Sequence, residues 1–382
     1  METGYDILFF WVARMIILST YLLDEIPFKT VYLHGLIRDK QGRKMSKSLG
    51  NGIDPLEMIE KYGTDAVRLS LVLGSSPGND MRLYEEKIGG YRNFINKVWN
   101  SARFVLMNLE KKDFNAKIDT TKLSRADKWI LHRTNEVITR ATKGLSEYKL
   151  SEVGMMIYDF FWGEFCDWYL EMSKVNPNKP VLAHVLKTVL KLLHPYTPFV
   201  TEALWGMMDQ KEMLITAKWP EVNKDHKFPT AANEMKVVIN TVSMIRKGRT
   251  ERKIDPAKKI KSKIYGHNFT KVLQDNAEII KRLARLEELT IEKEAPKKVP
   301  GALFVRTVKI TIHSGAMDKA KEKARLKQEI TQLGGYLSGL KAKLSNKNFV
   351  QNAPKQVVEA DKKRFEEGSS RLKAMKEQLK GL

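Results

Sequence analysis

Apolar residues at Ile88, Tyr91, Ile95, Val98, Ala102, Val105 and Leu109 recur at steps of three and four. That spacing predicts one long amphipathic helix. Three more helical stretches follow, Ala126 to Tyr148, Glu152 to Lys174 and Pro180 to Met208, the last interrupted by Pro195 and Pro198. A bundle of four or five helices buries such faces most economically. Ahead of it, the apolar run from Ile7 to Leu23 reads as a mostly buried helix, because Arg14 and an acidic flank fit neither a signal peptide nor a membrane span. A short β-branched and aromatic strand covers Tyr32 to Ile37, and a polar turn at Gly42 follows. The next helix starts at Asp54 as N-cap, with Pro55 at its first position and Glu57 placed to close a capping box. It ends near Gly63, and Thr64 is expected to cap a second short helix from Asp65 to Leu73.

Past Trp219-Pro220 the segment 221–230 reads as a polar linker, and residues 233–314 then alternate between helix and strand. A helix is expected from Met235 to Glu251, a strand from Lys259 to Tyr265, a helix through Leu283, and strands over Leu289 to Glu292 and Ala302 to Ile312. These make a small α+β domain. At the end, Leu326, Ile330, Leu333, Leu337, Leu340 and Leu344 form a heptad seam, and Val358, Phe365, Leu372, Met375 and Leu379 form a second. A turn over Phe349 to Pro354 joins them, so the two seams pair as an antiparallel coiled-coil hairpin with arms about 45 Å long. Gly334 and Gly335 weaken the first arm by roughly 1 kcal/mol each. The expected fold is therefore mainly α with a partial α/β segment at the start, divided at 1–75, 76–225, 226–315 and 316–382.

Charge narrows the partner. The 382 residues carry a formal net charge of +22, more than solubility requires, so a polyanion is expected, with nucleic acid ahead of a membrane surface. The single cysteine, Cys166, excludes a disulfide framework or a cysteine-rich zinc cluster and suits a reducing cytosol; it reads as a small buried hydrophobe. His132, His184 and His194 are spaced for no metal site, and no metal is predicted. Trp99, Trp162, Trp168 and Trp205 offer faces on which bases could stack, but most tryptophans on amphipathic helices are core, so none is assigned to reading bases.

The candidate chemistry sits between strand and capped helix. Lys44 and Lys47 lie three apart among Ser46, Ser48, Gly50 and Gly52, so two ammonium groups and several hydroxyls can surround a polyphosphate. A second basic group, Arg246, Lys247, Arg249, Arg252 and Lys253, falls at a helix end, and Lys258, Lys259 and Lys261 follow. It suits nucleic-acid phosphates, although the helix C-terminus itself favours cations there. In the hairpin, basic residues outnumber acidic ones by eight, Lys341 and Lys343 among them.

Lys44, Met45, Ser46, Lys47 and Ser48, followed by Leu49, Gly50 and Asn51, match the KMSKS signature of the class I aminoacyl-tRNA synthetases, and His34-Gly35 resembles that family's adenine-side strand. The segment Glu2 to Met15 resembles valyl-tRNA synthetases more than their isoleucyl or leucyl relatives. So do Phe165 to Glu171 and the terminal hairpin with Asn352-Ala353-Pro354, where an isoleucyl enzyme would end in a cysteine zinc module. Gly63 to Arg68 resembles the family's join between catalytic domain and bundle, and Arg92 to Phe94, Lys97 to Asn100 and Pro198 to Glu202 resemble its anticodon-binding bundle.

The resemblance implies ATP-dependent activation of valine and its transfer to tRNA-Val. Lys44 and Lys47 would be catalytic, as electrostatic stabilisers of the phosphates. His34, Gly35, Met45, Ser46, Ser48 and Asp6 would join them in binding ATP with its Mg2+, and Trp11 would wall the valine pocket. Arg246, Arg249, Arg252, Lys253, Lys341 and Lys343 would hold tRNA. It further implies a cytoplasmic protein, monomeric when complete, of which this chain is a C-terminal portion. The nucleotide-binding half with its histidine pair and the editing insertion would come before it, or from another chain, and this portion alone is expected to be inactive. The alternatives are an isoleucyl or leucyl relative, or a noncatalytic tRNA-binding protein.

Overall fold

The computed structural model describes residues 1–208, 212–296, 299, 301–313, 319–346 and 355–380; the turn expected over Phe349 to Pro354 lies outside them. The described chain is mostly helical with small sheets, and it divides into two compact units, Met1–Ala232 and Asn233–Leu382.

In the first unit, β1 (Glu2–Gly4) leads through 3-10 and π turns into α1 (Ala13–Leu23). β1 pairs in parallel with β2 (Tyr32–His34), and β3 (Ile37–Arg38) pairs in parallel with β4 (Met81–Arg82). The single strand expected over Tyr32 to Ile37 is thus two. Between β3 and β4 come α2 (Pro55–Tyr62) and α3 (Thr64–Val72). Asp54 caps α2 as expected, accepting from the Leu56 amide at 2.8 Å, whereas α3 has no side-chain cap and starts from Gly63 at φ 88°. Met58, Ala66, Val67, Leu83 and Ile88 make the local core.

The expectation of a mostly buried helix over Ile7 to Leu23 is overturned. Phe9 is 80% exposed and Tyr21 84%, and only Val12 of that run is buried. No described element packs over the apolar face. By length and composition Tyr5–Leu23 could cross a membrane; Arg14 would be costly at that depth.

The bundle consists of α4 (Glu85–Asn108), α5 (Arg125–Ser146), α6 (Leu150–Asp159) running through a π-helix into α7 (Leu170–Ser173), α8 (Lys179–Leu193) and α9 (Pro198–Gly206). The α4 face is centred on Ile88, Phe94, Val98, Ala102 and Val105. Phe94, four residues before Val98, takes the deep position in place of Ile95. Its ring stacks on Tyr158 at 4.2 Å. Trp205 is buried, as expected of most bundle tryptophans, whereas Trp99 is 36% exposed. Cys166 is buried, with its sulfur 3.1 Å from the Ser101 hydroxyl, and burial pushes the thiol up to about 12.

Asp127 ties three helices of the bundle. Its carboxylate closes the α5 capping box with Ser124 and accepts from the buried Tyr169 hydroxyl at 2.6 Å and from Asn178, the α8 N-cap, at 3.2 Å.

The second unit begins in α10 (Pro229–Glu251) and continues with β5 (Ile260–Tyr265), α11 (Thr270–Asp275), α12 (Ala277–Ala284) and β6 (Leu286–Glu292). The crossover through α11 and α12 lets β6 lie parallel to β5. The last expected strand is instead a hairpin of β7 (Leu303–Val305) and β8 (Val308–His313), which turns at Arg306 and Thr307. The sheet order is β6-β5-β8-β7. Two long helices follow, α13 (Lys319–Ser345) and α14 (Lys355–Lys380). Their contacts run antiparallel: Lys343 meets Asp361, and Leu337 lies against Gly368. Leu326, Leu337, Leu340, Val358 and Met375 are buried residues of the pair.

Replacing Asp127 by alanine leaves the Tyr169 hydroxyl and the Asn178 amide without their acceptor inside the bundle. The expected loss is about 3 kcal/mol, read as a lower urea midpoint of tryptophan fluorescence. Ser124→Ala, which removes only a cap, should cost about 1 kcal/mol.

Candidate active site

A strand end supplies the anchor of the lysine loop. At the end of β3 the chain turns back, with the Gly42 amide donating to the Asp39 carbonyl at 2.9 Å and an isolated bridge joining Arg38 to Lys44. Asp39 is 6% exposed. Its carboxylate accepts from the Arg43 amide (2.8 Å), the Arg43 guanidinium (2.7 Å) and the Asn51 side-chain amide (2.9 Å). These donors hold its pKa down from 3.8 to about 2, Asn51 contributing most.

Asn51 then closes the loop on itself. Its carbonyl oxygen accepts from the Ser46 amide at 2.9 Å, and its amide also reaches the Lys44 carbonyl at 3.3 Å. Inside the loop the Ser46 and Ser48 hydroxyls lie 3.1 Å apart, and the Leu49 amide donates to the Ser46 oxygen. Gly50, at φ +60°, makes the tight turn whose amide donates to the Lys47 carbonyl. Met45 turns inward against the cluster of Met58, Val67 and Ile88. This partly buried side chain, expected among the ATP-binding residues, helps anchor the loop on the core.

With the backbone fixed in this way, the Lys44 and Lys47 side chains are exposed. Lys44 Nζ lies 4.0 Å from the Asp6 carboxylate. A Cβ at Gly4 would come 2.7 Å from that same carboxylate and 3.5 Å from the His34 ring, so β1 and β2 bring Asp6, His34 and Lys44 to one edge. Gly35 allows the next contact: a Cβ there would strike the Asn79 carbonyl at 1.8 Å. Asp80 beside it accepts from the Leu36 amide at 2.8 Å and pairs with Arg38, fixing β3 against β4. These donors, the Leu36 amide foremost, lower the Asp80 carboxyl, which in turn raises the Tyr5 hydroxyl. Trp11 is 49% exposed on the apolar helix.

Of the second basic group, Arg249 is not a surface cation. It is 6% exposed and donates to the carbonyls of Ala284, Arg285, Asp255 and Lys258. It stitches α10 to the ends of α12 and β5, and burial lowers its pKa. This corrects its assignment to tRNA, because a guanidinium spent on these carbonyls and on that of Pro256 has no face left for a phosphate. Arg246 gives one donor to the Leu283 carbonyl and Arg252 one to that of Gly301, while the Lys253 side chain is exposed. On the long helices Lys341 is exposed, whereas Lys343 donates to the buried Asp361 at 2.8 Å.

Sequence spacing missed Asp39 and Asn51, the residues that shape the loop, although Asn51 stands at the end of the motif. It also missed that His184 and His226, 42 positions apart, meet edge to face at 5.1 Å.

The Ser46 amide reports on the clamp. Because the Asp39 carboxyl is held below 3.8, the stability it gives is complete above that value and is lost as pH falls from 3.8 towards 2. Hydrogen exchange should show Ser46 protection constant above pH 4 and declining through that window. Asn51→Ala should lower it about tenfold at neutral pH.

Three families match consecutive parts of the chain: tRNA synthetases class I (I, L, M and V) over residues 1–84, the anticodon-binding domain of tRNA ligase over 127–264, and the valyl tRNA synthetase tRNA binding arm over 318–382. The chain is 41% identical to the valine--tRNA ligase of Clostridium tetani, with 100% of this chain and 45% of that protein aligned. For the same ligase from Oceanobacillus iheyensis the identity is 41%, over 95% and 43%, and for that of Thermotoga maritima 39%, over 100% and 44%. The chain thus spans a little under half the length of these relatives. Among solved structures, LeuRS of Agrobacterium radiobacter K84, in a ternary complex with tRNA and LeuAMS, shares the fold at TM-score 0.51 and 20% identity, over 59% of this chain and 29% of that one. The clamped lysine loop, the bundle and the terminal helix pair are each matched in order, and the chain belongs to the valyl-tRNA synthetase family.

Proposed function

We propose that this chain carries the phosphate-handling loop and the RNA-holding domains of a cytoplasmic valine–tRNA ligase. The observation that supports this most directly is the clamp: Asp39 and Asn51 fix the backbone of residues 44–51 while both lysine side chains stay exposed. In this reading residues 1–75 belong to a Rossmann-like catalytic domain, 76–225 to an anticodon-binding bundle, 226–315 to a small α+β domain, and 316–382 to a coiled-coil arm along tRNA-Val.

The donor set suits a polyphosphate. Two ammonium groups and the Ser46 and Ser48 hydroxyls are cationic or neutral donors, and Asp6 is the carboxylate near Lys44. One carboxylate makes no cage for Mg2+, so that ion would enter on ATP's own oxygens and supply charge neutralisation there. Asp6 would accept from ribose hydroxyls, His34 and Gly35 would line the adenine side, and Trp11 would exclude water from the valine side chain. As valine's carboxylate attacks the α-phosphorus and pyrophosphate departs, negative charge grows on oxygens that Lys44 and Lys47 are fixed to meet. They act as electrostatic stabilisers, with no proton to give or take.

The test is valine-dependent pyrophosphate exchange with ATP. The chain alone should give none, and the chain joined to the remainder of a valine–tRNA ligase should give activity. In the joined enzyme Lys47→Ala should cut exchange about 100-fold or more and leave tRNA-Val affinity within about twofold. Equal losses in both would remove the proposed role, and tRNA binding without exchange in the joined enzyme would favour a noncatalytic tRNA-binding protein. Lys253→Ala and Lys341→Ala should each weaken tRNA-Val binding and reduce its salt slope by about one, whereas Arg249→Met should appear first as lost stability of the second unit.

A further inference from the structure

Away from the lysine loop, the bundle holds a polar cavity of about 720 Å³ between the loop 114–120, helix α8 and the segment 218–226. Lys117, Lys187, Lys191 and Lys218 line it, against the exposed carboxylates Glu221 and Asp225. Lys187 and Lys191 stand one helical turn apart on α8, and both ammonium groups lie over the Trp205 ring, at 5.8 and 5.6 Å. Each gives a hydrogen bond to a backbone carbonyl, Lys187 to Phe114 at 3.3 Å and Lys191 to Lys218 at 3.0 Å. Among the described residues neither forms an ion pair. An ammonium carries three N–H bonds, so each keeps donors for something else. Burial lowers both pKa values; Lys191 lowers that of Lys187 further, and Glu212 acts in the opposite sense on Lys191.

His226 adds an independent sign. It is 4% exposed. The Asn223 side-chain oxygen accepts from the Asp225 amide at 2.9 Å, which fixes the orientation of that side chain and leaves its NH₂ facing His226 Nε2 at 3.4 Å. Nε2 is therefore the acceptor, and the ring proton resides on Nδ1. That Nδ1–H is buried and has no hydrogen-bond partner among the described residues. Burial lowers the pKa of His226 and brings that of the neighbouring His184 to about 4, so both rings are neutral at pH 7. A buried N–H without an acceptor is rare in folded proteins, and this one belongs to a wall of a cavity rich in lysine.

We propose that this cavity binds a nucleotide phosphate, with Lys187 and Lys191 meeting its charge and His226 Nδ1–H donating to one of its oxygens. A phosphate is acceptor-rich and anionic, which answers both the crowded ammonium pair and the unmet ring donor. The cavity is large enough for a whole nucleotide, with Trp219 and Pro220 lining it beside the lysines. The group can arrive on a free nucleotide or as one phosphate of a single-stranded RNA. The site is separate from Lys44 and Lys47; its RNA source rests on the reading of the bundle as an anticodon-binding domain and its free-nucleotide source does not, so absence of pyrophosphate exchange would leave the site standing.

The experiment uses the full chain with three probes: labelled inorganic phosphate and AMP by equilibrium dialysis, and a fluorescent single-stranded RNA pentanucleotide by anisotropy. Saturable binding of at least one probe is expected. The double variant Lys187→Met, Lys191→Met should weaken it tenfold or more and Lys218→Ala, altered on an exposed side chain, about threefold. His226→Phe should weaken it severalfold with the melting temperature unchanged or raised; if that variant fails to fold, Lys218→Ala carries the test. Binding of AMP and phosphate identifies a free nucleotide as the source, and binding of the RNA alone identifies a strand. Adenosine, which lacks the phosphate, should not compete. The proposal is overturned if no probe binds saturably, if adenosine competes as well as AMP, or if the lysine variants leave affinity within twofold.

Discussion

One buried carboxylate gives the lysine loop its shape. Asp39, at the end of a two-residue strand, collects three donors, two from Arg43 and one from Asn51 at the far end of the loop. Asn51 uses its remaining atoms on the Ser46 amide and the Lys44 carbonyl. The backbone is thereby fixed before any ligand arrives, and the ammonium groups project from a settled base. A loop of the same composition without that anchor would be a solvated charge run, and ordering it would have to be offset by binding.

The same device recurs through the molecule. In a chain with a net charge of +22, the buried ionic groups among the described residues are nearly all aspartates: Asp39, Asp65, Asp113, Asp127 and Asp361. Asp65 accepts from the Phe199 and Val200 amides and so caps α9 from 134 positions away. Asp361 holds Lys343 and Arg364 between the two long helices. Aspartate suits these joints because it offers several acceptor sites on a short stem, so one residue can satisfy donors from two or three elements with little side-chain entropy to lose. Arg249 is the cationic counterpart, collecting carbonyls at the helix and strand ends of the second unit.

Sequence reading succeeded where a feature is contiguous or periodic. The Asp54 cap and the helical stretches of the bundle depend on neighbours within four residues. It failed where partners are distant in the chain. Phe94 or Ile95 could each have faced the core, and the choice was made by Tyr158 on another helix. Arg249 read as a surface cation because the carbonyls it serves lie up to 36 residues away. The apolar helix after β1 read as buried because composition reports only that a side chain would prefer cover, and no described element supplies that cover. His184 and His226 are unremarkable in spacing and become a pair only through the fold of α8 against the segment after Trp219.

Charge density alone therefore says little about which of the many basic residues can do electrostatic work. What decides it is how each cation is already occupied. Lys343 is committed to a buried carboxylate, and taking it away would strand Asp361. Lys44 touches Asp6 only at 4.0 Å, with both side chains well exposed, and a pair of that kind is worth little in water. A phosphate taken up by Lys44 in the proposed role would displace almost nothing, while the geometry that Asp39 and Asn51 impose would be retained. Weak prior engagement on a rigid backbone is what separates a cation able to meet developing charge from one that only holds the fold together.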